Sequence, residues 1–500
     1  MPPKLQGFDF YEQSLKGAKY VVAPMVDASE LAWRMLARRY GAELCYTPMW
    51  HSGVFIRDEK YRQNALQTCP EDRPLIVQFC ANDPEVFKKA VDLTVQAIDC
   101  DAIDLNIGCP QVIARRGHFG SYLQDEWDLL TKLISIIHEN FTVPITCKLR
   151  VFDDVEKTVR YAQMMESAGA QLLCVHGRTR EQKGAMTGLA SWDHIKAVKK
   201  AVKIPVFANG NIQYLTDVLK CIEDTGVQGV MSAEGHLTNP ALFAGIDPPV
   251  WKMCLEYLDL VDEYPCPLSY ARGHLFKLLH HVLQIKTNFD VRMIIAKGQS
   301  FGEFRSAVET LKERLEPYHS GEKEWEEPEE LKVFKLKHKP WICQPYVRPP
   351  PEEHIKKMNE IKEKEKKGEH PGKMYLDPEG NEISRRKMRR LERRPEAKRF
   401  PHARENTKLC QSCPNPCGTK CDYGLCKKCC KSKCYNEELD CVGHRIQVKS
   451  KRETARYWKK ERENAAAAAA KEEETKKKEE PIVAEAKEDE IKTKTPEEVS

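Results

Sequence analysis

Residues 75–110 read LIVQFCANDPEVFKKAVDLTVQAIDCDAIDLNIGCP, and the fold follows from how this stretch is parsed. Residues 75–80 (LIVQFC) are a short apolar run of strand length, residues 84–98 carry a helical pattern, and residues 102–108 (AIDLNIG) are a second apolar run. Strand, helix and strand in succession make the βα unit of a parallel sheet. Working outward, six further strands are expected at 20–25 (YVVAPM), 44–49 (LCYTPM), 145–150 (ITCKLR), 172–177 (LLCVHG), 205–211 (PVFANGN) and 229–235 (GVMSAEG). Helical patterns at 155–168 and 191–202 lie between them. Eight strands in about 240 residues have the count and length of a (β/α)8 TIM barrel rather than of a doubly wound sheet.

The unusual residues support the barrel. Pro24 with Met25, Gln78, Asn106 with Cys109, Lys148, His176, Asn209 and Glu234 all fall at or just past the C-terminal ends of successive strands. In a barrel those ends converge on one mouth, so residues distant in sequence line a single site. A phosphate commonly binds the loops after strands 7 and 8, which here are Asn209-Gly210-Asn211 and Ala233-Glu234-Gly235. A mononucleotide flavin suits such a mouth. Its phosphate would meet those loops and its ring would lie near Pro24, Met25, Gln78 and Lys148. Lys148 would stabilise negative charge on the reduced ring, Gln78 would hydrogen-bond its pyrimidine edge, and His176 would donate to flavin or substrate. Cys109, in a loop stiffened by Pro110, has the placement of a proton donor, since an ordinary thiol (pKa about 8.5) is protonated at neutral pH.

The rest of the chain has a different character. Residues 248–320 turn helical and are expected to form a small all-α domain, in which His274, Lys277, His280 and His281 read as packing or surface residues. Residues 321–349 are expected as an extended strap containing WICQPYVRP, and 350–405 as a charged linker with a basic run at 385–399. A Cys-rich module (406–447) and a charged low-complexity tail (448–500) with six alanines at 465–470 follow, largely disordered outside the Cys-rich part. The chain carries 80 Lys plus Arg against 75 Asp plus Glu, net +5, but 23 basic and 9 acidic residues lie between 381 and 460. That stretch is +14 and the remainder −9, an acidic body with a basic appendage suited to a polyanion such as nucleic acid, or to nuclear import.

No secretory pattern opens the chain (MPPKLQGFDFY) and no 18-residue apolar run occurs, so a soluble protein of cytoplasm or nucleus, without a membrane partner, is expected. Its 20 cysteines are then thiols or metal ligands. Cys410, Cys413, Cys417, Cys421, Cys426, Cys429, Cys430, Cys434 and Cys441, with His444, include two C-x2-C pairs and suit one or two tetrahedral Zn2+ sites. Ten candidates exceed the eight places of two such sites.

The segments APM (23–25), VQFCANDPE (77–85), DLNIGCPQ (104–111), CKLR (147–150), VHGRTREQKG (175–184), FANGN (207–211) and SAEG (232–235), with a Gly-containing loop before SYL (121–123), together resemble the tRNA-dihydrouridine synthases, in particular the eukaryotic class acting at tRNA positions 16 and 17. The resemblance covers roughly residues 21–283. It implies an FMN cofactor reduced by NADPH or NADH, hydride delivery from flavin N5 to uracil C6, and protonation of C5 by Cys109. The matching cofactor positions are Pro24, Met25 and Val26, Gln78, Lys148, His176, Asn209, Gly210 and Asn211, and Ala233 with Glu234. Two positions depart from many relatives, which have Asp in place of Asn211 and Arg in place of Glu234. A carboxylate would repel a phosphate, so Glu234 is expected to offer backbone N–H only.

With tRNA as partner, the target base must be extruded into the pocket at a cost of a few kcal/mol. Basic residues of the helical domain and tail would offset that cost through phosphate contacts, and Asn106, Arg115 and Arg116 lie on the substrate side of the mouth. A monomer is expected. Two other readings are a flavin-dependent ene reductase of a small molecule, which has no use for a basic zinc-bearing arm, and a zinc-containing RNA-binding protein with an inactive barrel, which has no use for Cys109, Lys148 and His176.

Overall fold

The computed structural model describes residues 4–346, 348, 350–366, 375–376, 382–383, 408–454 and 456, in two compact units, Met1–Glu369 and His370–Ser500. The basic run at 385–399, the alanine run and most of the charged tail lie outside the described residues.

The first unit is built on eight parallel strands, β1 Tyr20–Val22, β2 Leu44–Tyr46, β3 Leu75–Cys80, β4 Ala102–Ile107, β5 Ile145–Arg150, β6 Leu173–His176, β7 Val206–Asn209 and β8 Gly229–Ser232. Each pairs with its neighbour in sequence, β8 pairs with β1 and β2 pairs with β3, so the sheet closes into the expected barrel. The main outer helices are α1 Leu31–Arg39, α2 Pro84–Ala97, α3 Trp127–Asn140, α4 Val155–Ser167, α5 Trp192–Ala201 and α6 Leu215–Thr225. Asp83 caps α2 by accepting from Val86 N–H at 3.0 Å, and Pro84 sits where no N–H is needed. Several strands end before the apolar runs do. The residues beyond them form the mouth; Gly210 and Asn211, for example, have φ of 115° and 63°, outside any strand conformation.

The two-residue period of the strands sorts the side chains. Val77, Phe79, Ile103, Leu105, Cys147, Leu149, Val175 and Ala208 face the helices and join the large outer core. Between them Gln78, Asp104, Asn106, Thr146, Lys148, Arg150, His176 and Asn209 share the inward register. Below this polar layer the interior is apolar, with Ile76, Ala102, Leu172, Cys174, Phe207 and Met231 packed against Phe10, Tyr11 and Leu15. Those last residues come from an N-terminal helical segment at 7–14 and the residue after it, which close the lower end, anchored where Tyr11 Oη donates to Gly17 O (2.8 Å) and Gln228 O (3.1 Å).

After the barrel come α7 Val250–Glu263, α8 Leu268–Leu278, α9 Phe289–Lys297 and α10 Phe301–His319, whose shared core takes in Trp33 and Leu36 of α1. Beneath this contact lies a fully buried polar network. The Glu30 carboxylate accepts from Tyr257 Oη (2.6 Å) and pairs with His274 Nε2 (3.1 Å), and the His274 ring stacks on Trp33 at 4.0 Å between centroids. Trp33 Nε1 donates to His236 Nδ1 at 3.2 Å. Burial alone would raise the Glu30 pKa, but His274 and the Tyr257 hydroxyl hold it below the usual glutamate value. His274 therefore does more than pack: it makes a buried carboxylate tolerable at the junction of barrel and helices.

Trp341 and Cys343 of the strap are buried against the same helices, with Val250 N–H donating to Trp341 O (2.8 Å) and Cys343 N–H to Pro248 O (2.9 Å). The charged stretch after it opens as a helix, Pro351–Lys366, where a linker was expected. No helix among the described residues is long and apolar enough to cross a membrane.

Candidate active site

Cys109 lies three residues after Asn106, at the mouth end of β4, and its loop is fixed from both sides. Asn106 Oδ1 accepts from Gly108 N–H (3.1 Å) and Cys109 N–H (2.9 Å). Cys109 O accepts from Ser121 N–H (3.1 Å) and Ser121 Oγ (3.0 Å), while Lys183 Nζ (2.8 Å) and Tyr122 Oη (3.1 Å) donate to Pro110 O. The close approach requires Gly120, where φ is 65° and a Cβ would stand 2.7 Å from Cys109 O. Arg150 ties this loop to the one after β6, donating to Gly108 O (2.9 Å), Thr179 O (2.6 Å) and Gln182 O (3.0 Å). Partial burial raises the Cys109 pKa, against opposing effects of the Gln111 N–H, Arg150, Lys148 and Lys183, so the thiol keeps its proton at neutral pH.

The orientation of Asn106 is inherited from deeper in the barrel. Asp104 accepts from Thr146 Oγ1 (2.7 Å) and Gln78 Nε2 (2.8 Å), which leaves Gln78 Oε1 to accept from Asn106 Nδ2 (2.9 Å). Asn106 Oδ1 is thereby aimed at the Cys109 loop. Asp104 is fully buried, and burial lifts its pKa to about 6 despite hydrogen bonds from Thr146 and Gln78 and the nearby Lys148.

Lys148 Nζ donates to Asn209 Oδ1 at 2.9 Å, and Asn209 Nδ2 donates to Met231 O at 2.8 Å. Burial lowers the Lys148 pKa. His176 Nε2 lies 3.1 Å from Arg178 Nη1. Burial, then Lys148, Arg150 and Arg178, push the His176 pKa well down, so the ring is neutral. Because a guanidinium can only donate, Nε2 accepts and the N–H that His176 offers is Nδ1.

At the loops after β7 and β8, a Cβ on Gly210 would lie 2.5 Å from Ala190 Cβ, so only glycine fits there. The Asn211 side chain is committed within the protein, accepting from Ala190 N–H (2.9 Å) and Arg178 Nη2 (3.0 Å) and donating to Ala190 O (2.8 Å). Glu234 is paired with Arg348 of the strap, whose Nη1 also reaches Gly184 O (3.4 Å) and Thr187 Oγ1 (3.5 Å). Pro24, Met25 and the exposed Val26 follow β1, and Ala233 follows β8. Arg115 and Arg116 are exposed on the short helix Val112–Gly117 directly after Cys109. The mouth loops also expose apolar side chains, namely Val26, Val112, Ile113, Met186 and Leu189.

The family profile described as dihydrouridine synthase (Dus) matches residues 21–332. A mouse protein named tRNA-dihydrouridine(16/17) synthase [NAD(P)(+)]-like is 54% identical over 460 residues, covering 91% of this chain and 94% of its own. The tRNA-dihydrouridine(16/17) synthases [NAD(P)(+)] of Schizosaccharomyces pombe and Saccharomyces cerevisiae are 44% and 42% identical, each over 69% of this chain and over 92% and 87% of their own lengths. The chain belongs to the dihydrouridine synthase family.

In this dihydrouridine synthase the mouth, with the buried layer beneath it that holds Gln78, gathers the barrel residues expected from sequence. It also brings in Asp104, Arg150, Arg178 and Arg348, to which sequence reading gave no role. The first three lie inside the segments DLNIGCPQ, CKLR and VHGRTREQKG and were open to notice there. Arg348 carried no signal, because its partner Glu234 is 114 residues away. The second unit gathers eight of the ten expected metal ligands into two sets, Cys410, Cys413, Cys426 and Cys429, and Cys421, Cys430, Cys441 and His444. Cys417 and Cys434 fall in neither.

Proposed function

We propose that this protein reduces the C5=C6 bond of uridine in the D-loop of tRNA, at positions 16 and 17, using FMN and NADPH or NADH. The observation that carries the reading is a thiol, Cys109, held at the mouth of a barrel beside a partly buried lysine, Lys148, with spare hydrogen-bonding capacity.

The residues fit FMN. Lys148 has Asn209 as its hydrogen-bond acceptor among the described residues, leaving donors for the flavin ring, and the tight turn at Gly210, packed against Ala190, leaves backbone N–H groups for a phosphate. Asn211, Ala233 and Glu234 contribute backbone N–H groups there, and the Glu234 carboxylate is neutralised by Arg348 with Arg178 close by. Pro24, Met25 and Val26 would flank the ring, and Gln78, whose carbonyl is taken by Asn106 and whose amide already donates to Asp104, would have its second N–H to offer. FMN bound there supplies the hydride that goes to uracil C6.

Cys109 gives its proton to C5, and Asn106 and Arg150 hold the thiol in line. His176 offers Nδ1–H to the flavin or to a uracil carbonyl. Exposed Val112, Ile113, Met186 and Leu189 give an extruded nucleotide an apolar rim, and Arg115 and Arg116 reach its phosphates. The Cys-rich unit holds structural zinc, and the basic stretch around it adds phosphate contacts.

Mapping dihydrouridine in unmodified tRNA after incubation with the protein and NADPH tests the reading. Modification is expected at positions 16 and 17; modification confined to other positions would refute the site assignment, and none at all would refute the activity.

A further inference from the structure

We infer that the Cys-rich unit binds two zinc ions in interlocked sites, one held by Cys410, Cys413, Cys426 and Cys429 and the other by Cys421, Cys430, Cys441 and His444, so that neither site is stable without the other. The inference rests on the proposal that this unit holds zinc, and it adds the ion count, the ligand sets and their interdependence.

The geometry within each set is that of one ion. The four ligand atoms of each lie within 4.8 Å of one another. Cys413 Sγ is 3.6 Å from Cys426 Sγ and 3.5 Å from Cys429 Sγ; Cys441 Sγ is 4.0 Å from Cys421 Sγ and 3.7 Å from His444 Nδ1. Zn–S bonds of about 2.3 Å in a tetrahedron put sulfurs about 3.8 Å apart, which these separations straddle. Disulfides need sulfurs at about 2.05 Å, and all nine thiols are free. An iron–sulfur cluster would hold its cysteine sulfurs farther apart than these sets allow. Three thiolates with one imidazole, and four thiolates, are ordinary structural zinc sets.

The unit has little else to hold it together. Its buried residues are Cys410, Leu425, Cys426, Cys430, Cys434, Cys441 and Val448, so five of the seven are cysteines. Two aliphatic side chains cannot offset the ordering of some forty residues at about 1–2 kcal/mol each. Metal binding can, and its free energy then becomes folding free energy.

The interlock follows from the chain path. The first set takes the hairpin pair Cys410 and Cys413, then skips Cys421, which belongs to the second set, before taking Cys426 and Cys429. The helix Lys427–Asn436 begins directly after Cys426, and its adjacent residues Cys429 and Cys430 go to different ions. Emptying the first site frees both ends of the loop from Cys413 to Cys426, which carries Cys421 of the second; emptying the second frees the middle of that loop; and either change unpins one of the neighbours Cys429 and Cys430 in the first turn of this helix. The other site loses its geometry in either case. Independent sites would have been successive along the chain.

The test is metal content of the purified full-length protein by mass spectrometry, with bound flavin as the check that the barrel is intact. The wild type should carry two zinc ions per chain. Cys413→Ala and His444→Ala, one from each set, should each fall well below one zinc, whereas Cys417→Ala and Cys434→Ala should keep both. Loss of one ion with the other at full occupancy would overturn the interlock. Zinc loss in Cys417→Ala or Cys434→Ala would overturn the ligand assignment. A flavin-loaded wild type with no zinc would overturn the zinc proposal on which the inference rests.

Discussion

Cys109→Ala is expected to leave FMN bound and reducible by NADPH while dihydrouridine formation falls by about 10²–10⁴. Beyond the nearby Gln111 N–H, the loop is held by groups other than the Cys109 side chain. The anchors are the backbone N–H and carbonyl of residue 109, Pro110 O and the side chains of Asn106, Ser121 and Lys183. Removing Sγ therefore removes the acid and little else. The raised Cys109 pKa also fixes the pH dependence. The acid form persists through neutral pH, so turnover should be level there and decline only in the alkaline range as the thiol ionises. Single-turnover assays across pH check both statements; a fully active alanine variant, or a rate that rises with alkaline pH, would remove Cys109 from the proton-donor role.

Removal of residues 381–500 is expected to raise the KM for tRNA about tenfold or more at 200 mM salt and to flatten the salt dependence of binding, with flavin content and reduction by NADPH unchanged. The net +14 between 381 and 460 underlies this, since every candidate catalytic residue lies before residue 240. A surface that neutralises six to ten phosphates loses about 10³–10⁵ in affinity between 50 and 200 mM salt, and truncation should abolish part of that slope. If both proteins follow parallel salt curves, the arm does not bind RNA, its charge serves another purpose such as import, and the helices after the barrel become the RNA platform.

The barrel was legible because strands buried on both faces read as continuous apolar runs, and because the polar exceptions mark their upper ends. The lower end was not. Phe10, Tyr11 and Leu15 sit in a short segment without a sustained period, and only the closed barrel gives them a cavity to fill. The helix Pro351–Lys366 was read as a linker because its Lys and Glu residues carry no apolar stripe wide enough to announce a core-facing helix. In the site, the residue types and their strand ends were visible, but the direction of the hydrogen bonds was not. Asp104 reads as one polar residue in a strand until Thr146 and Gln78, 42 and 26 residues away, are brought against it. Glu234 drew attention as a charge of the wrong sign for a phosphate loop, and the structure answers with Arg348. In the tail, spacing gave ten candidates, nine cysteines and His444, and only the folded unit separates the eight whose ligand atoms gather into two sets of four from Cys417 and Cys434.

Reoxidation of the reduced protein tests the central claim most directly. The purified protein should be yellow, its absorbance at about 450 nm should bleach with NADPH, and under anaerobic conditions the colour should return on adding unmodified tRNA. Recovery should be faster by orders of magnitude with tRNA than with free uridine at equal concentration, because phosphate contacts and the rim of the mouth hold the base where Cys109 can protonate it. Equal recovery with the two would point to a small-molecule ene reductase, and a colourless protein that binds tRNA would contradict the catalytic reading altogether.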